Sequence, residues 1–131
     1  MKKTILIVED EPLNRKLIRD ILTHRGNTVI EAGNGRKGVD LAIEIKPDLI
    51  FMDIQLPVMD GLEAIRLIRS DPTARHIPIV ALTGNAMDED EKRMRKAGCD
   101  GYLSKPFKVK ELLQMTDSFL GLSGNSKTVV P

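Results

Sequence analysis

Five short apolar runs alternate with amphipathic stretches, and this alternation constrains the fold more than any other feature of the chain. The first run, Ile5 to Val8, has no polar side, which is typical of a strand covered on both faces. Between Leu13 and Leu22 the apolar residues recur at helical spacing, and Gly26 is a plausible stop for that helix. Repeated strand–helix alternation predicts an α/β protein with a parallel sheet and helices on both faces. The other predicted strands are Thr28–Ile30, Leu49–Met52, Ile79–Leu82 and Gly101–Ser104, and the other predicted helices are Val39–Ile45, Gly61–Arg69, Met87–Ala97 and Val109–Leu120.

The size and charge of the chain exclude several classes of function. With 131 residues, the chain is about the size of one domain. Its 20 Lys and Arg balance 19 Asp and Glu, and aromatic residues make up only 3%, so we expect no direct nucleic-acid binding. A single cysteine, Cys99, rules out an internal disulfide or a cysteine-built zinc site. No apolar run is long enough for a bilayer, and we expect a cytoplasmic protein that binds no membrane.

Polar side chains follow four of the five predicted strands, at the points where those strands end. Glu9 and Asp10 follow the first strand, and Asp53 follows the third. Thr83 follows the fourth strand, and Lys105 follows the fifth. Ligands of open parallel sheets bind at the carboxyl ends of the strands. The pattern therefore predicts one site to which four strands contribute.

The chemistry of these residues indicates a divalent cation and a phosphoryl group. If the first and third strands are neighbours, about 4.8 Å apart, the carboxylates of Glu9, Asp10 and Asp53 converge. At 4 Å each pair would repel by about 4 kcal/mol at an effective dielectric of 20, so a cation is needed. Oxygen-only ligands favour Mg²⁺, which also binds phosphate oxygens. Lys105 would add a second positive charge, and Thr83 a hydroxyl, around a phosphoryl group on Asp53.

Each of these residues alone also has an ordinary structural explanation. Acids after a strand are favoured by the dipole of the next helix, and a threonine there often caps that helix.

The segment from Gly33 to Gly38 matches the dinucleotide pattern G-x-G-x-x-G. However, it follows the second strand, and the acids after the first strand would repel a pyrophosphate. We therefore expect these glycines to serve a tight turn and close helix packing.

Four motifs make the chain resemble the receiver domain of two-component response regulators, in particular the single-domain type. The resemblance runs from Thr4 to Leu120 and implies a flavodoxin-like (βα)5 three-layer sandwich, with a parallel five-stranded sheet of order 2-1-3-4-5. It also implies a receiver domain over residues 1–121. The chain after Leu120 is rich in Gly and Ser and lacks periodicity, so we expect a flexible tail over residues 122–131. The four motifs are Ile7–Glu11, Met52–Gly61, Ala81–Gly84 and Lys105–Phe107.

The resemblance also implies a role for each site residue. Asp53 is the phosphoacceptor and takes its phosphoryl group from a phosphohistidine of a sensor histidine kinase or a histidine phosphotransfer protein. Mg²⁺, or Mn²⁺ in its place, is the cofactor. Lys105 pairs with the phosphoryl group and is joined to Pro106 by a cis peptide bond, while Thr83 and Tyr102 form the switch. The implied metal ligands are Glu9, Asp10, Asp53 and the backbone carbonyl of Gln55.

The output implied by the resemblance is a protein-binding surface on the fourth helix, fifth strand and fifth helix. The chain is then a monomer or a phosphorylation-dependent dimer, and not a turnover enzyme. Its Met1 start favours a stand-alone protein, with excision from a hybrid histidine kinase as the alternative. Candidate contact residues, by position alone, are Met87, Arg93, Tyr102, Lys108, Lys110 and Gln114.

Two other classes of function remain as more remote alternatives. An aspartyl-phosphate hydrolase would place a second carboxylate where this chain has Gln55, and an amide cannot act as a general acid or base. A flavin or nucleotide binder on the same fold would need aromatic residues to stack on its ligand, and it would have to tolerate the acidic edge. Gln55 therefore counts against the hydrolase, and the scarcity of aromatic residues and the acidic edge count against the flavin or nucleotide binder.

Overall fold

Five strands and five helices alternate along the computed structural model, which describes residues 2–84 and 88–121. The strands pair in parallel in the order β2-β1-β3-β4-β5, which confirms the predicted flavodoxin-like α/β architecture. None of the helices in the described ranges is long and apolar enough to span a membrane. The elements are β1 (Thr4–Val8), α1 (Pro12–His24), β2 (Thr28–Ala32), α2 (Gly35–Ile45), β3 (Leu49–Asp53), α3 (Gly61–Ser70), β4 (Ile79–Thr83), α4 (Asp88–Ala97), β5 (Gly101–Ser104) and α5 (Val109–Leu120).

Most predicted boundaries lie within two residues of the observed ones, and β5 and α5 coincide with the prediction. The largest difference is α2, which begins at Gly35 rather than Val39 because Asn34 caps it. The Asn34 side chain accepts a hydrogen bond from the backbone N–H of Lys37, so the helix starts before its first apolar residue. The predicted helical position of Met87 and the predicted tail over residues 122–131 lie outside the described residues.

Both faces of the sheet are covered, which explains why the central strands β3 and β4 are apolar up to their last residue. All five residues of β3 are buried, as are all five of β4. Along β3, Ile50 and Met52 pack into a core with α2, α3 and α4, whereas Leu49 and Phe51 pack into a core with α1 and α5. The buried side chains of each strand alternate between the two cores, and the polar residues Asp53 and Thr83 stand at the last positions of β3 and β4.

Two of the three glycines in the G-x-G-x-x-G segment, Gly35 and Gly38, serve helix packing. A Cβ atom on Gly38 would lie 2.7 Å from a methyl carbon of Val8, which is closer than side chains approach. A Cβ on Gly35 would overlap the backbone carbonyl of Met59. The two glycines therefore let α2 approach β1 and the loop before α3, as the sequence analysis expected.

Parallel pairing brings the carboxyl ends of the strands to one edge. In the β1–β3 pair Val8 lies beside Met52, so the residues that follow them are neighbours. In the β4–β5 pair Thr83 lies beside Ser104, one residue before Lys105. Gly61 lets α3 begin against this edge, because a Cβ there would overlap the backbone carbonyl of Asp53.

Candidate functional site

Three acids converge at the carboxyl edge of the sheet. Glu9 follows β1, Asp10 comes next, and Asp53 ends β3. One carboxylate oxygen from each lies within 4.8 Å of the others. Glu9 and Asp53 are only 0% and 3% exposed, whereas Asp10 is on the solvent side. The structure thus brings together the acids that the sequence analysis placed in one site.

Lys105 neutralises the buried part of this cluster. Its Nζ atom lies 2.8 Å from Glu9 Oε1 and 2.9 Å from Asp53 Oδ2. The sequence analysis assigned the relief of repulsion first to a metal ion, with Lys105 as a second positive charge. In the structure the lysine itself joins the two buried carboxylates, because β5 ends beside β4 and its following residue reaches across the edge.

Burial and pairing act in opposite directions on the pKa values of the site. Burial raises the pKa of the Glu9 carboxyl above its ordinary value, although the hydrogen bonds from Lys105 and from the Glu11 N–H lower it. The negative charge of Asp53 raises it further. For Lys105, burial lowers the pKa, but the hydrogen bonds to Glu9 and Asp53 and the negative charges of these two residues together outweigh burial and leave the pKa raised. The lysine therefore remains protonated in the presence of its two acidic partners.

Backbone N–H groups fix the orientation of both buried carboxylates. Asp53 Oδ1 accepts a hydrogen bond of 2.9 Å from the backbone N–H of Gln55. Glu9 Oε2 accepts one of 3.1 Å from the backbone N–H of Glu11. The Glu11 side chain itself caps α1 by accepting from the N–H groups of Leu13 and Asn14. Glu11 is thus a helix cap, as the structural explanation for acids after a strand predicts.

The donor set fits a hard divalent cation. Glu9, Asp10 and Asp53 offer only oxygen atoms, and the carboxylate oxygens of Glu9 and Asp53 have lone pairs beyond the hydrogen bonds described above. Oxygen ligands in this number suit Mg²⁺, which retains several waters and binds through one or two carboxylates. These three residues would hold the ion, which would supply positive charge in addition to that of Lys105.

Thr83 and Tyr102 lie on the side of the sheet that faces α4. Thr83 ends β4, is 2% exposed, and its backbone carbonyl accepts a hydrogen bond of 2.7 Å from the Lys105 N–H. Tyr102 packs against the core formed with α2, α3 and α4, and its hydroxyl donates to Glu91 Oε1 at 3.2 Å. The peptide bond between Lys105 and Pro106 is cis, as the resemblance implied.

Arg15 and Glu31 support the site but were not singled out from the sequence. Arg15 Nη1 donates a hydrogen bond of 2.9 Å to the backbone carbonyl of Glu9, and its Nε pairs with Glu31 Oε1 at 3.1 Å. Arg19 pairs with the other oxygen of Glu31 at 2.9 Å. The available signal was Glu31, the one charged residue of β2. That strand therefore contributes to the site through a residue within it rather than one after it.

Cys99 has no part in this site. It is half-buried and packs against the core on the α4 side. Burial raises the pKa of its thiol to about 11. Because a thiolate is the reactive form of cysteine, this shift lowers the reactivity of Cys99 near neutral pH.

Known proteins are similar to this chain in both sequence and fold. The family model for the response regulator receiver domain matches residues 5–117. The chain is 46% identical over 121 residues to the polar-differentiation response regulator DivK of Brucella anthropi, covering 92% of this chain and 98% of that protein.

Solved structures agree with the sequence matches. The receiver domain of a sensor histidine kinase from Pseudomonas aeruginosa PAO1 is similar, with a TM-score of 0.86 and 39% identity over 92% of this chain and 99% of that one. That domain holds a magnesium ion coordinated in its active site cleft. The chemotaxis response regulator CheY4 of Vibrio cholerae is also similar, with a TM-score of 0.87 and 28% identity over 91% of this chain and 99% of that one.

Together, the fold and the site define a flavodoxin-like α/β protein with an acidic, lysine-neutralised site at the carboxyl edge of its sheet. The family match covers most of the chain, and the relatives are matched over nearly their whole length. The chain belongs to the response regulator receiver domain family, and its role lies in two-component signalling.

Proposed function

We propose that Asp53 accepts a phosphoryl group from a phosphohistidine of a sensor histidine kinase or a histidine phosphotransfer protein, with Mg²⁺ or Mn²⁺ as cofactor. The observation that supports this most directly is the pairing of the Asp53 carboxylate with Lys105 Nζ at 2.9 Å, beside two further acids. A cytoplasmic receiver domain over residues 1–121 is the unit that would carry out this reaction.

The proposed transfer is a substitution at phosphorus. A carboxylate oxygen of Asp53 forms the new bond to phosphorus, and the phosphorus–nitrogen bond of the donor breaks, leaving its electron pair on the imidazole. Lys105 would pair with the phosphoryl oxygens, since its ammonium already lies beside the accepting carboxylate. Thr83 would donate its hydroxyl to one of these oxygens. When bound by Glu9, Asp10, Asp53 and the Gln55 carbonyl, the cation would neutralise charge on the phosphoryl group.

Phosphorylation would act on partners through the face formed by α4, β5 and α5. Thr83 and Tyr102 belong to β4 and β5 and connect the acidic edge with this face. Of the candidate contact residues within the described ranges, Tyr102 is half-buried, and the exposed ones are Arg93, Lys108, Lys110 and Gln114. The proposed outcome is a changed affinity for a downstream protein, or for a second copy of the chain, without direct nucleic-acid binding.

The chain would act as a phosphoacceptor and not as a turnover enzyme. Gln55 stands two residues after Asp53, and its exposed amide cannot deliver or remove a proton as a carboxyl group could. Two settings suit such a domain. A stand-alone regulator is supported by the similarity to DivK, and a domain of a hybrid kinase by the similarity to the Pseudomonas kinase receiver.

The test is phosphorylation by acetyl phosphate with and without Mg²⁺, read by intact mass. We expect the wild-type protein to gain one phosphoryl group only when Mg²⁺ is present, and Asp53→Asn to gain none. Asp40→Asn, an exposed change on α2, is the matched control and should behave like wild type. Equal labelling of Asp53→Asn would contradict the assignment of the phosphoacceptor. Rapid catalytic release of phosphate from phosphomonoesters would instead favour the hydrolase.

A further inference from the structure

The hydroxyl of Tyr102 has a side-chain partner on the neighbouring helix. It donates to Glu91 Oε1 at 3.2 Å, which joins β5 to α4. The other oxygen of Glu91 is paired with Arg95 Nε at 3.1 Å, one helical turn further along. Glu91 is 31% exposed and Arg95 62% exposed, so the carboxylate sits at the edge of the solvent. Both oxygens of Glu91 are therefore occupied, and the carboxylate has a defined orientation.

The hydrogen bond between Tyr102 and Glu91 lies on the face of the sheet that also carries Thr83, a residue of the acidic edge. Residues two apart on a strand share a face, so Thr83 lies on the same face as Ala81, the residue beside Tyr102 in the β4–β5 pair. A phosphoryl group on Asp53 that drew Thr83 toward it would therefore act on the face that Tyr102 shares. A tyrosine that leaves the position seen here gives up its hydrogen bond to Glu91.

We propose that Glu91 is a positioning residue that holds Tyr102 in the position seen here and thereby opposes the phosphorylated state. The inference rests on the proposed function, because it assumes that a phosphoryl group on Asp53 favours a different position of Tyr102. A contact made in only one of two states shifts the equilibrium between them by its own free energy. By linkage, removing that contact strengthens the binding of whatever ligand prefers the other state.

The composition of the chain makes the contact directly observable. The sequence contains one tyrosine and no tryptophan, so the intrinsic tyrosine emission comes from Tyr102 alone. A phenol that donates its proton to a carboxylate emits weakly, because the proton moves toward the carboxylate in the excited state. Emission therefore reports whether Tyr102 is bonded to Glu91.

The experiment compares wild type, Glu91→Ala and Glu91→Gln, using beryllofluoride with Mg²⁺ as a stable mimic of the phosphoryl group. We expect wild-type emission to rise when beryllofluoride is added. Glu91→Ala should show raised emission without any ligand, and calorimetry should give a dissociation constant for beryllofluoride about fivefold lower than that of wild type. Glu91→Gln keeps an uncharged acceptor, so its emission should be raised while its affinity stays within about twofold of wild type.

Glu44→Ala, an exposed change on α2, is the matched control and should leave emission and affinity unchanged. Wild-type affinity in Glu91→Ala overturns the inference whatever the emission shows, because the contact then does not bias the two states. That result is distinct from failure of the proposed function, in which the wild-type protein gains no phosphoryl group by mass. Since α4 is a surface helix and alanine is a strong helix former, Glu91→Ala should fold normally.

Discussion

Lys105 is the single residue on which the electrostatics of the site depend. Its ammonium contacts both buried carboxylates, Glu9 and Asp53, at hydrogen-bonding distance. The two carboxylates are 0% and 3% exposed, so water screens their charges poorly. Without Lys105 they would repel each other strongly. A lysine in this position neutralises the two carboxylates before any cation binds, and under the proposed function it would also pair with the phosphoryl group. One side chain thus links the stability of the edge to its proposed chemistry.

Lys105→Met should make the stability of the protein more dependent on Mg²⁺. Removing one partner of a buried ion pair costs about 3–5 kcal/mol, because the remaining charge is left uncompensated. A bound divalent cation would restore positive charge beside Glu9 and Asp53. We therefore expect the free energy of unfolding of Lys105→Met to rise more on adding Mg²⁺ than that of wild type, as measured by urea denaturation.

Lys110→Met is the control for this measurement, since Lys110 is an exposed lysine on α5. It should follow wild type both with and without Mg²⁺. Equal gains in stability for Lys105→Met and wild type would show that the lysine and the cation do not act on the same charges.

At the level of the elements, Arg69 joins the end of α3 to the segments around α4 and β5. Its guanidinium donates to the backbone carbonyls of Arg75, Ile77 and Gly98, at 2.9, 2.6 and 2.9 Å. It also pairs with Asp100 Oδ2 at 2.7 Å, and the same oxygen accepts the N–H of Ile79 at 2.9 Å. The planar fork of five N–H donors is what allows one side chain to reach four acceptors.

Arg69→Ala should lower the free energy of unfolding by about 2 kcal/mol, because several partly buried acceptors lose their donor. Arg69→Lys should recover less than half of the loss, since an ammonium cannot reproduce the geometry of the fork. Urea denaturation followed by circular dichroism measures both. Arg66→Ala, an exposed change in the same helix, should stay within about 0.5 kcal/mol of wild type. A similar loss in Arg66→Ala would mean that the helix rather than the hydrogen bonds is responsible.

At the level of the whole molecule, two cores share one sheet. The α4 side contains Ile50, Met52 and Ala81, and the α1–α5 side contains Phe51 and Leu82. Adjacent residues of the same strands supply both cores. If either layer of helices unfolded, one apolar face of the sheet would therefore be exposed to water. The strands therefore connect the two layers mechanically and energetically.

This shared sheet predicts cooperative, two-state unfolding. Tyrosine emission reports Tyr102 on the α4 side, whereas far-UV circular dichroism reports all the helices. We expect the two signals to give the same midpoint in urea, as small single domains usually do. A tyrosine transition that precedes the loss of helix signal would show that the α4 layer unfolds independently.

The local pattern of the sequence was sufficient for the elements and for the rough position of the site. Ile5–Val8 and the other apolar runs indicated strands buried on both faces, and the residues after them indicated the edge. The expectation that glycines of the dinucleotide pattern serve helix packing was correct for Gly35 and Gly38. These features follow from short-range periodicity, which a strand or helix imposes on its own residues. Strand order came from resemblance, since periodicity does not specify which strands are neighbours.

Only the tertiary structure decided which side chains meet across elements. Lys105 and Glu9 are 96 residues apart, and Arg69 and Asp100 are 31 apart, yet both pairs are in contact. The pairs of Arg15 with Glu31 and of Tyr102 with Glu91 were equally invisible in the sequence. The physical reason is that a long polar side chain can reach many partners, and backbone geometry selects among them only after the sheet has formed. Residue types at the edge are thus local information, whereas their pairing is a property of the folded chain.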